Sequence, residues 1–359
     1  MTTANHPQPD TVAELTLLLS EAKSAGASDV HLQSIPEGVE IGFRLDGILQ
    51  RIRRLHGESS QRLLGRIKYL ARLKTYVDAL PQEGRISRPD SGVDTEIRVA
   101  TYPTVTGEKV VLRLFRDRIA PVLEELDLQP PMLETLKGSL GKPSGLILFT
   151  GPAGSGKTTT TYAAMRHLLG LGDRHIISIE DPVECILEGV MQTEISEVRG
   201  LTFAVALRHL LRQDPQVLAL GEIRDEETAA MAVRAGLTGH LIISTLHAGS
   251  TPGVVERLLD LCPDPHAVAS SLLLVSNQRL LRRLCPACKG DGCDACSRTG
   301  YRGRIPIVEW LGFGDVQRTA VRSGDIGALK PTCTLLASAE SRIAQGMTDR
   351  RELQRVLGP

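Results

Sequence analysis

The chain has 359 residues, 42% of them hydrophobic and 23% charged, an ordinary globular profile that excludes a disordered chain. Lys+Arg and Asp+Glu balance at 42 each, for a net charge of zero, so attraction of the whole chain to a polyanion is excluded as its organising theme. The length suggests about two or three domains. Residues 1–10 are polar and hold no basic segment followed by an apolar run, so no secretory signal is expected. No later stretch approaches the roughly 18 consecutive apolar residues of a membrane helix.

From residue 10 to 22, Val12, Leu15, Leu18 and Leu19 recur at helical spacing. Strand-like alternation follows over 30–33 and 39–45 and is turned by Asp46-Gly47. A basic helix is expected over 59–74, and strands over 95–100 and 108–115 flank a turn at Thr106-Gly107. Such mixing predicts an α+β module over 25–118, behind a terminal segment of residues 1–24. Residues 119–128, with Pro121, read as a linker. From Gly145 the texture changes. Short apolar strands over 146–150, 175–179, 217–220 and 241–245 alternate with helix-length stretches, which predicts a mostly parallel sheet covered on both faces. The second domain is expected over 129–359, with a tail over 305–359 that ends in a helix from Asp349 to Leu357.

Residues 51–74 are basic: Arg51, Arg53, Arg54, Arg62, Arg66, Lys68, Arg72 and Lys74 face only Glu58 among acids. A surface that binds nucleic acid would carry aromatics on which bases stack. Only Tyr69 falls within the stretch. A solvated helix face or a subunit contact is the expectation, and no nucleic-acid partner is expected.

Gly151-Pro152-Ala153-Gly154-Ser155-Gly156-Lys157-Thr158 fits G-x-x-x-x-G-K-[ST] and follows an apolar strand directly. In such a loop the glycines let backbone N–H groups turn inward on phosphates, the lysine reaches the β/γ-phosphates, and the Thr hydroxyl holds Mg²⁺. The helix that begins near Thr159 presents its positive end to the anion. ATP and Mg²⁺ are therefore the expected cofactors.

A phosphate loop needs a carboxylate at a neighbouring strand end. Glu222, after the strand over 217–220, and Glu180, after that over 175–179, both qualify. Parallel strands bring such ends to one sheet edge. Which of them activates water and which positions Mg²⁺ stays open from sequence. His240 and His247 bracket the fourth strand; one histidine there is ordinarily structural, and a pair could sense the terminal phosphate.

Cys285, Cys288, Cys293 and Cys296 form two C-x-x-C knuckles. Four thiolates so spaced close a tetrahedral Zn²⁺ site with no open position, which is structural rather than catalytic. Cys185, Cys262 and Cys333 are scattered and read as ordinary buried thiols.

Four motifs now stand in order: the phosphate loop, Ile179-Glu-Asp-Pro-Val-Glu184, Gly221-Glu-Ile-Arg-Asp225 and Thr238-Gly-His-Leu-Ile-Ile-Ser-Thr-Leu-His247. Together they resemble the type II secretion and type IV pilus assembly ATPases, and the resemblance runs from Ala27-Ser-Asp-Val-His-Leu32 to near Val356. It implies a RecA-like P-loop ATPase domain behind a smaller, PAS-like α+β domain, with a tetracysteine zinc knuckle and a helical C-terminal tail. It also implies that Glu180, Glu184, Glu222, His240 and His247 face the nucleotide. Arg98 and Arg113 match the family's arginines that reach the phosphates across a domain or subunit boundary. The implied assembly is a homo-hexamer in the cytoplasm, held to the inner membrane through a platform protein. The cysteines favour secretion or fibre extension over retraction. The spacer over 289–292 is shorter than the family's usual one, and a membrane-docking domain is expected to be missing or reduced to the first twenty-odd residues. The alternatives are a pilus retraction ATPase, a DNA-translocating or helicase-like motor, and a nucleotide-gated scaffold without turnover.

Overall fold

The computed structural model describes residues 11–115 and 120–358; residues 1–10 of the expected terminal segment, 116–118 of the expected α+β module, residue 119 of the linker and residue 359 lie outside them. Two compact units divide the chain, Met1–Asp117 and Arg118–Pro359.

In the first unit, helix α1 (Thr11–Ser24) precedes strands β1 (Asp29–Ile35), β2 (Gly38–Leu45) and β3 (Ile48–His56). Helix α2 (Glu58–Leu70) then leads to β4 (Gln82–Ile86), β5 (Ile97–Thr104) and β6 (Gly107–Leu114). The strands make one antiparallel sheet in the order β3-β2-β1-β6-β5-β4. Period-2 alternation explains its one-sided core: Val39, Ile41 and Phe43 of β2 and Val110 and Leu112 of β6 are buried with Leu63 and Ile67 of α2. Leu15, Leu18 and Leu19 of α1 join the same core, so residues 11–24 are part of the module rather than a segment ahead of it. The basic stretch is largely neutralised in place. Arg51 and Arg54 pair with Glu40, Arg53 with Glu21 and Arg62 with Glu58. Lys68 is buried on Glu108 at 2.8 Å. The helix stops at Leu70, short of the expected residue 74.

The second unit opens with α3 (Pro130–Leu140), β7 (Gly145–Thr150), α4 (Lys157–Leu171), β8 (Ile176–Glu180) and β9 (Val190–Glu194). There follow α5 (Phe203–Leu210), β10 (Val217–Leu220), α6 (Glu226–Leu237), β11 (Leu241–Thr245), α7 (Thr251–Leu261) and α8 (Pro265–Ser271). The chain ends through β12 (Leu272–Leu284), β13 (Tyr301–Gly312), α9 (Asp315–Ser323), α10 (Leu335–Ala344) and α11 (Arg350–Leu357). The sheet order is β13-β12-β7-β11-β10-β8-β9, with every pair parallel except β12–β13. Strands β7, β8, β10 and β11 are buried along their length, and separate apolar clusters cover the two faces. This is the expected two-sided parallel sheet.

Two expectations change here. Leu123 and Leu128, placed by sequence in a linker, are buried in one cluster with Met132 and Leu136. The tail is not helical throughout, because residues 301–312 form β13. Beyond Asn277, whose partner on β7 is Thr150, β12 pairs with β13 alone. This two-stranded arm carries the cysteine segment at its tip. A buried carboxylate ties the arm to α11: Glu352 accepts from Arg282 N, Nε and Nη2 at 2.9, 3.0 and 2.8 Å. Arg355 donates to it as well, and the Arg282 guanidinium lies 3.9 Å from the Tyr301 ring centroid.

Candidate functional site

Thr150 ends β7, and the chain turns through Gly151–Gly156 into α4. Gly151 has φ 138°, and a Cβ there would stand 2.4 Å from the Gln278 carbonyl oxygen and 2.6 Å from Ser155 Oγ; no other residue fits that turn. Gly154 and Gly156 also hold positive φ. Pro152, Ala153 and Gly154 form the exposed rim, Ser155 is buried, and Lys157, Thr158 and Thr159 are half-buried in the first turn of α4. The first N–H groups of a helix lack intrahelical partners, so α4 offers donors beside the loop. Lys157 Nζ donates to the carbonyls of Gly151 at 2.7 Å and Pro152 at 3.1 Å. Burial lowers the Lys157 pKa, Arg279 adds to that, and Glu222 opposes it. A glycine cradle around a half-buried cation fits a polyphosphate.

The parallel register sets β8, β10 and β11 to end at this same edge. Glu222 follows β10 and keeps 15% of its side chain exposed. Its Oε1 lies 3.0 Å from His247 Nε2, and its Oε2 accepts from Arg224 Nε at 2.8 Å. Glu222, His247 and Lys157 are thus brought together.

Glu180 has a different setting. It is buried at the end of β8. Ser178 Oγ donates to its Oε1 at 2.5 Å and Gln192 Nε2 at 3.0 Å, while the Tyr162 hydroxyl donates to Oε2. The Tyr162 oxygen in turn accepts from the backbone N–H of Glu184 at 3.1 Å and of Cys185 at 3.2 Å. Burial, then the bond to Glu180, raises the Tyr162 pKa and keeps the phenol protonated. The carboxylate of Glu180 is committed to holding α4 and the loop that follows β8, and Glu184 stands exposed on that loop.

His240 is not brought to this edge. Its carbonyl accepts from Gly145 N at the start of β7, and its Nδ1 lies 3.2 Å from Ala235 O. It precedes β11 whereas His247 follows it, and a five-residue strand at ~3.3 Å per residue separates the two ends by about 16 Å. It is the satisfied structural histidine.

At the tip of the β12–β13 arm, the four thiol sulfurs lie within 4.8 Å of one another. Cys285 Sγ is 3.9 Å from Cys293 Sγ, and Cys296 Sγ is 3.8 Å from those of Cys288 and Cys293. Tetrahedral ligation with Zn–S bonds of ~2.3 Å sets sulfur–sulfur edges of about 3.8 Å. Backbone N–H groups of Gly292, Cys293 and Gly300 point at Cys288 and Cys296 sulfurs at 3.2–3.3 Å, as metal-held thiolates require of their surroundings. The thiol set is compatible with zinc. Of the remaining cysteines Cys262 is buried, while Cys185 and Cys333 are half-buried.

In the first unit, Arg98 and Arg113 are direct cross-strand partners on β5 and β6. Like charges placed opposite each other destabilise a sheet. Arg113 donates to the buried Asp29 at 2.9 Å and is 67% exposed; Arg98 lies over the Phe115 ring at 5.3 Å. Tyr162, Gln192, Arg224 and Arg279 were not singled out by sequence: none sits at a motif position with an assigned task, and the packing of α4 on the sheet, the pairing of β9 and β12 and the loop after β10 bring them into play. Among the described residues, no helix is long and apolar enough to cross a membrane.

The family described as type II/IV secretion system protein matches residues 9–355. The type II secretion system protein E of Klebsiella pneumoniae is 41% identical over 335 residues, covering 87% of this chain and 67% of its own. The type II secretion system ATPase E of Vibrio cholerae is 37% identical over 374 residues, covering 95% and 74%. A crystal structure of the pilus retraction motor PilT with bound ADP superposes with a TM-score of 0.62 at 26% identity, covering 95% of this chain and 92% of that one.

Proposed function

The chain belongs to the type II/IV secretion system protein family, and on that premise we propose that it is a motor ATPase that couples ATP hydrolysis to protein secretion or to assembly of a pilus-like fibre. The observation that carries the reading is Lys157 in its glycine cradle at the end of β7, with Glu222 and His247 paired beyond the ends of β10 and β11 on the same edge of the parallel sheet. The cradle from Gly151 to Gly156 and the first turn of α4 bind the phosphate chain, Lys157 neutralises its β/γ end, and Thr158 holds the Mg²⁺ that travels with ATP. Mg²⁺ supplies further charge neutralisation on the phosphates. Glu222, oriented by Arg224 and His247, faces the terminal phosphate and orients water. Glu180 acts through Tyr162, which fixes the loop bearing Glu184.

Arg98 and Arg113 complete the site from another subunit of a homo-hexamer. The exposure of Arg113, 67% open although Asp29 holds its Nε, supports this. An arginine supplied late stabilises charge in the transition state. Zn²⁺ closes the four-cysteine tip as a structural ion, and the arm that bears it is placed to meet a partner. The chain works at the cytoplasmic face of the inner membrane through a platform protein. Extension or secretion is favoured over retraction by the cysteine arm. A DNA motor is disfavoured by the neutralised arginines of β3. Phosphate release from ATP tests the reading: wild-type protein turns over, and Lys157→Ala, lacking the loop's cation, does not. Equal rates would refute it.

A further inference from the structure

Strand β12 does more than support the arm. Its pairing with β7 ends at Asn277 opposite Thr150, so the next residues run alongside the phosphate loop. The carbonyl oxygen of Gln278 is the atom a Cβ on Gly151 would strike, and the Leu280 side chain is 3.7 Å from where one on Gly156 would stand. Gln278 Nε2 also donates to Thr160 Oγ1 of α4 at 3.0 Å. Residues 278–280 therefore flank the loop from its first glycine to its last; strand alternation turns the Arg279 side chain to the face of Asn277, whose Nδ2 donates to Gly249 O beyond β11.

The guanidinium of Arg279 is half-buried and, among the described residues, donates through Nη1 alone, to Asn277 Oδ1 at 2.5 Å and Gln278 O at 2.9 Å. Both acceptors are neutral and on its own strand. No carboxylate lies within ion-pair distance of it among the described residues. Glu309, the acid whose field reaches it, is engaged by Thr251 N and Oγ1 at 2.7 and 3.1 Å. Its charge is felt at Lys157, where it disfavours the ammonium. The Gln278 oxygen that accepts from Arg279 abuts Gly151, and the Gly151 carbonyl accepts from Lys157, so the two half-buried cations hold the same glycine from two sides, while the nearby carboxylate, Glu222, already serves Arg224 and His247. Burying charge without a counter-ion is costly. An anion bridging Lys157 and Arg279 removes that cost, and the anion the loop is shaped for is a polyphosphate.

We propose that Arg279 is a second phosphate-directed cation of this site, grasping the phosphate chain of bound nucleotide from the β12 side of β7, opposite Glu222 and His247. The inference rests on the nucleotide reading above and adds a residue to it. The free edge of the guanidinium presents paired donors, so the contact is a fork that lysine reproduces only as a point charge.

The test uses the full chain and a fluorescent ADP analogue, displaced in turn by ATP, ADP and inorganic pyrophosphate. In Arg279→Gln, all three should bind more weakly by about 10- to 100-fold, the range for a lost hydrogen bond to a charged group. Arg279→Lys should fall between Gln and wild type, and it serves as the reporter if the Gln variant does not fold. Melting without nucleotide should not fall appreciably, because the relief of a half-buried charge with no counter-ion among the described residues offsets the two neutral hydrogen bonds lost. Unchanged affinities in either folded variant overturn the proposal. So does weaker ATP with unchanged pyrophosphate competition, which would put the arginine on the nucleoside. Wild-type protein that binds none of the three overturns the nucleotide reading itself, and this proposal with it.

Discussion

Tyr162→Phe removes one oxygen and tests how Glu180 contributes. That oxygen donates to Glu180 and accepts from the N–H groups of Glu184 and Cys185. Phenylalanine keeps the ring packed, so only the polar links are lost. The two N–H groups sit on a partly exposed loop, where water replaces the phenol. The Glu180 oxygen is buried, and an unsatisfied buried group costs about 1–3 kcal/mol. Taking about 2 kcal/mol, and about 2–4 °C of melting shift per kcal/mol for a unit of this size, the expected fall is about 4–8 °C. Turnover should drop by about 10- to 100-fold, because a loosened loop misplaces Glu184 by a fraction of an ångström to an ångström. Nucleotide affinity should not change. Calorimetry, phosphate release and nucleotide binding read the three quantities, with Glu180→Gln alongside. Comparable partial losses in both variants fit a positioning role. Wild-type melting and turnover in Tyr162→Phe, with turnover abolished in Glu180→Gln, would mean that Glu180 acts on water directly and the reasoning is wrong.

Arg98→Ala and Arg113→Ala should lower hydrolysis more than affinity, and mixing inactive Arg98→Ala subunits with inactive Lys157→Ala subunits should restore part of the activity; no recovery at any ratio would count against a shared site. Purified protein should carry about one Zn²⁺ per chain. Changing Cys285 and Cys288 to Ser should release it and lower the melting temperature while nucleotide binding survives; metal-free protein with unchanged melting would remove the ion from the account. Glu352→Ala should destabilise the second unit by about 3–5 kcal/mol, the cost of stranding the Arg282 charge. Burial alone would raise the Glu352 pKa, but the bonds from Arg355 and Arg282 outweigh it and hold the carboxyl below its ordinary range. Its stabilisation is therefore complete above the ordinary carboxylate pKa and is lost as pH falls through the lowered one. The stability gap between wild type and variant should hold above the ordinary carboxylate pKa and narrow steadily as pH falls from there through the lowered one, and a gap that did not narrow with acid would contradict the ion pair.

The sheet and loop that carry the chemistry were legible because they are local. Strands such as Val217–Leu220 and Leu241–Thr245 are short apolar runs between polar stretches, and the phosphate loop announces itself by its glycines. Strand β12 was not legible. Leu272–Leu284 is apolar on both faces where it joins the sheet and mixed in the arm, so no single period runs through it. Its partner β13 lies beyond the cysteine segment, and only that long-range pairing makes either a strand. The same blindness hid Arg279 and Tyr162, whose roles come from strand pairing and from helix-on-sheet packing and not from neighbours in sequence. Spacing left Glu180 and Glu222 equivalent; burial and bonding partners separate them. His240 and His247 look alike on paper because strand direction, which sends them to opposite edges, is invisible in a motif.

The central claim, that this edge of the sheet hydrolyses ATP with Glu222 as an acting carboxylate, is met most directly by measuring ATP binding and phosphate release on the single variant Glu222→Gln. The amide keeps the shape of the side chain and removes its charge. Retained ATP affinity with phosphate release abolished is the predicted result. Phosphate release at the wild-type rate would contradict the account.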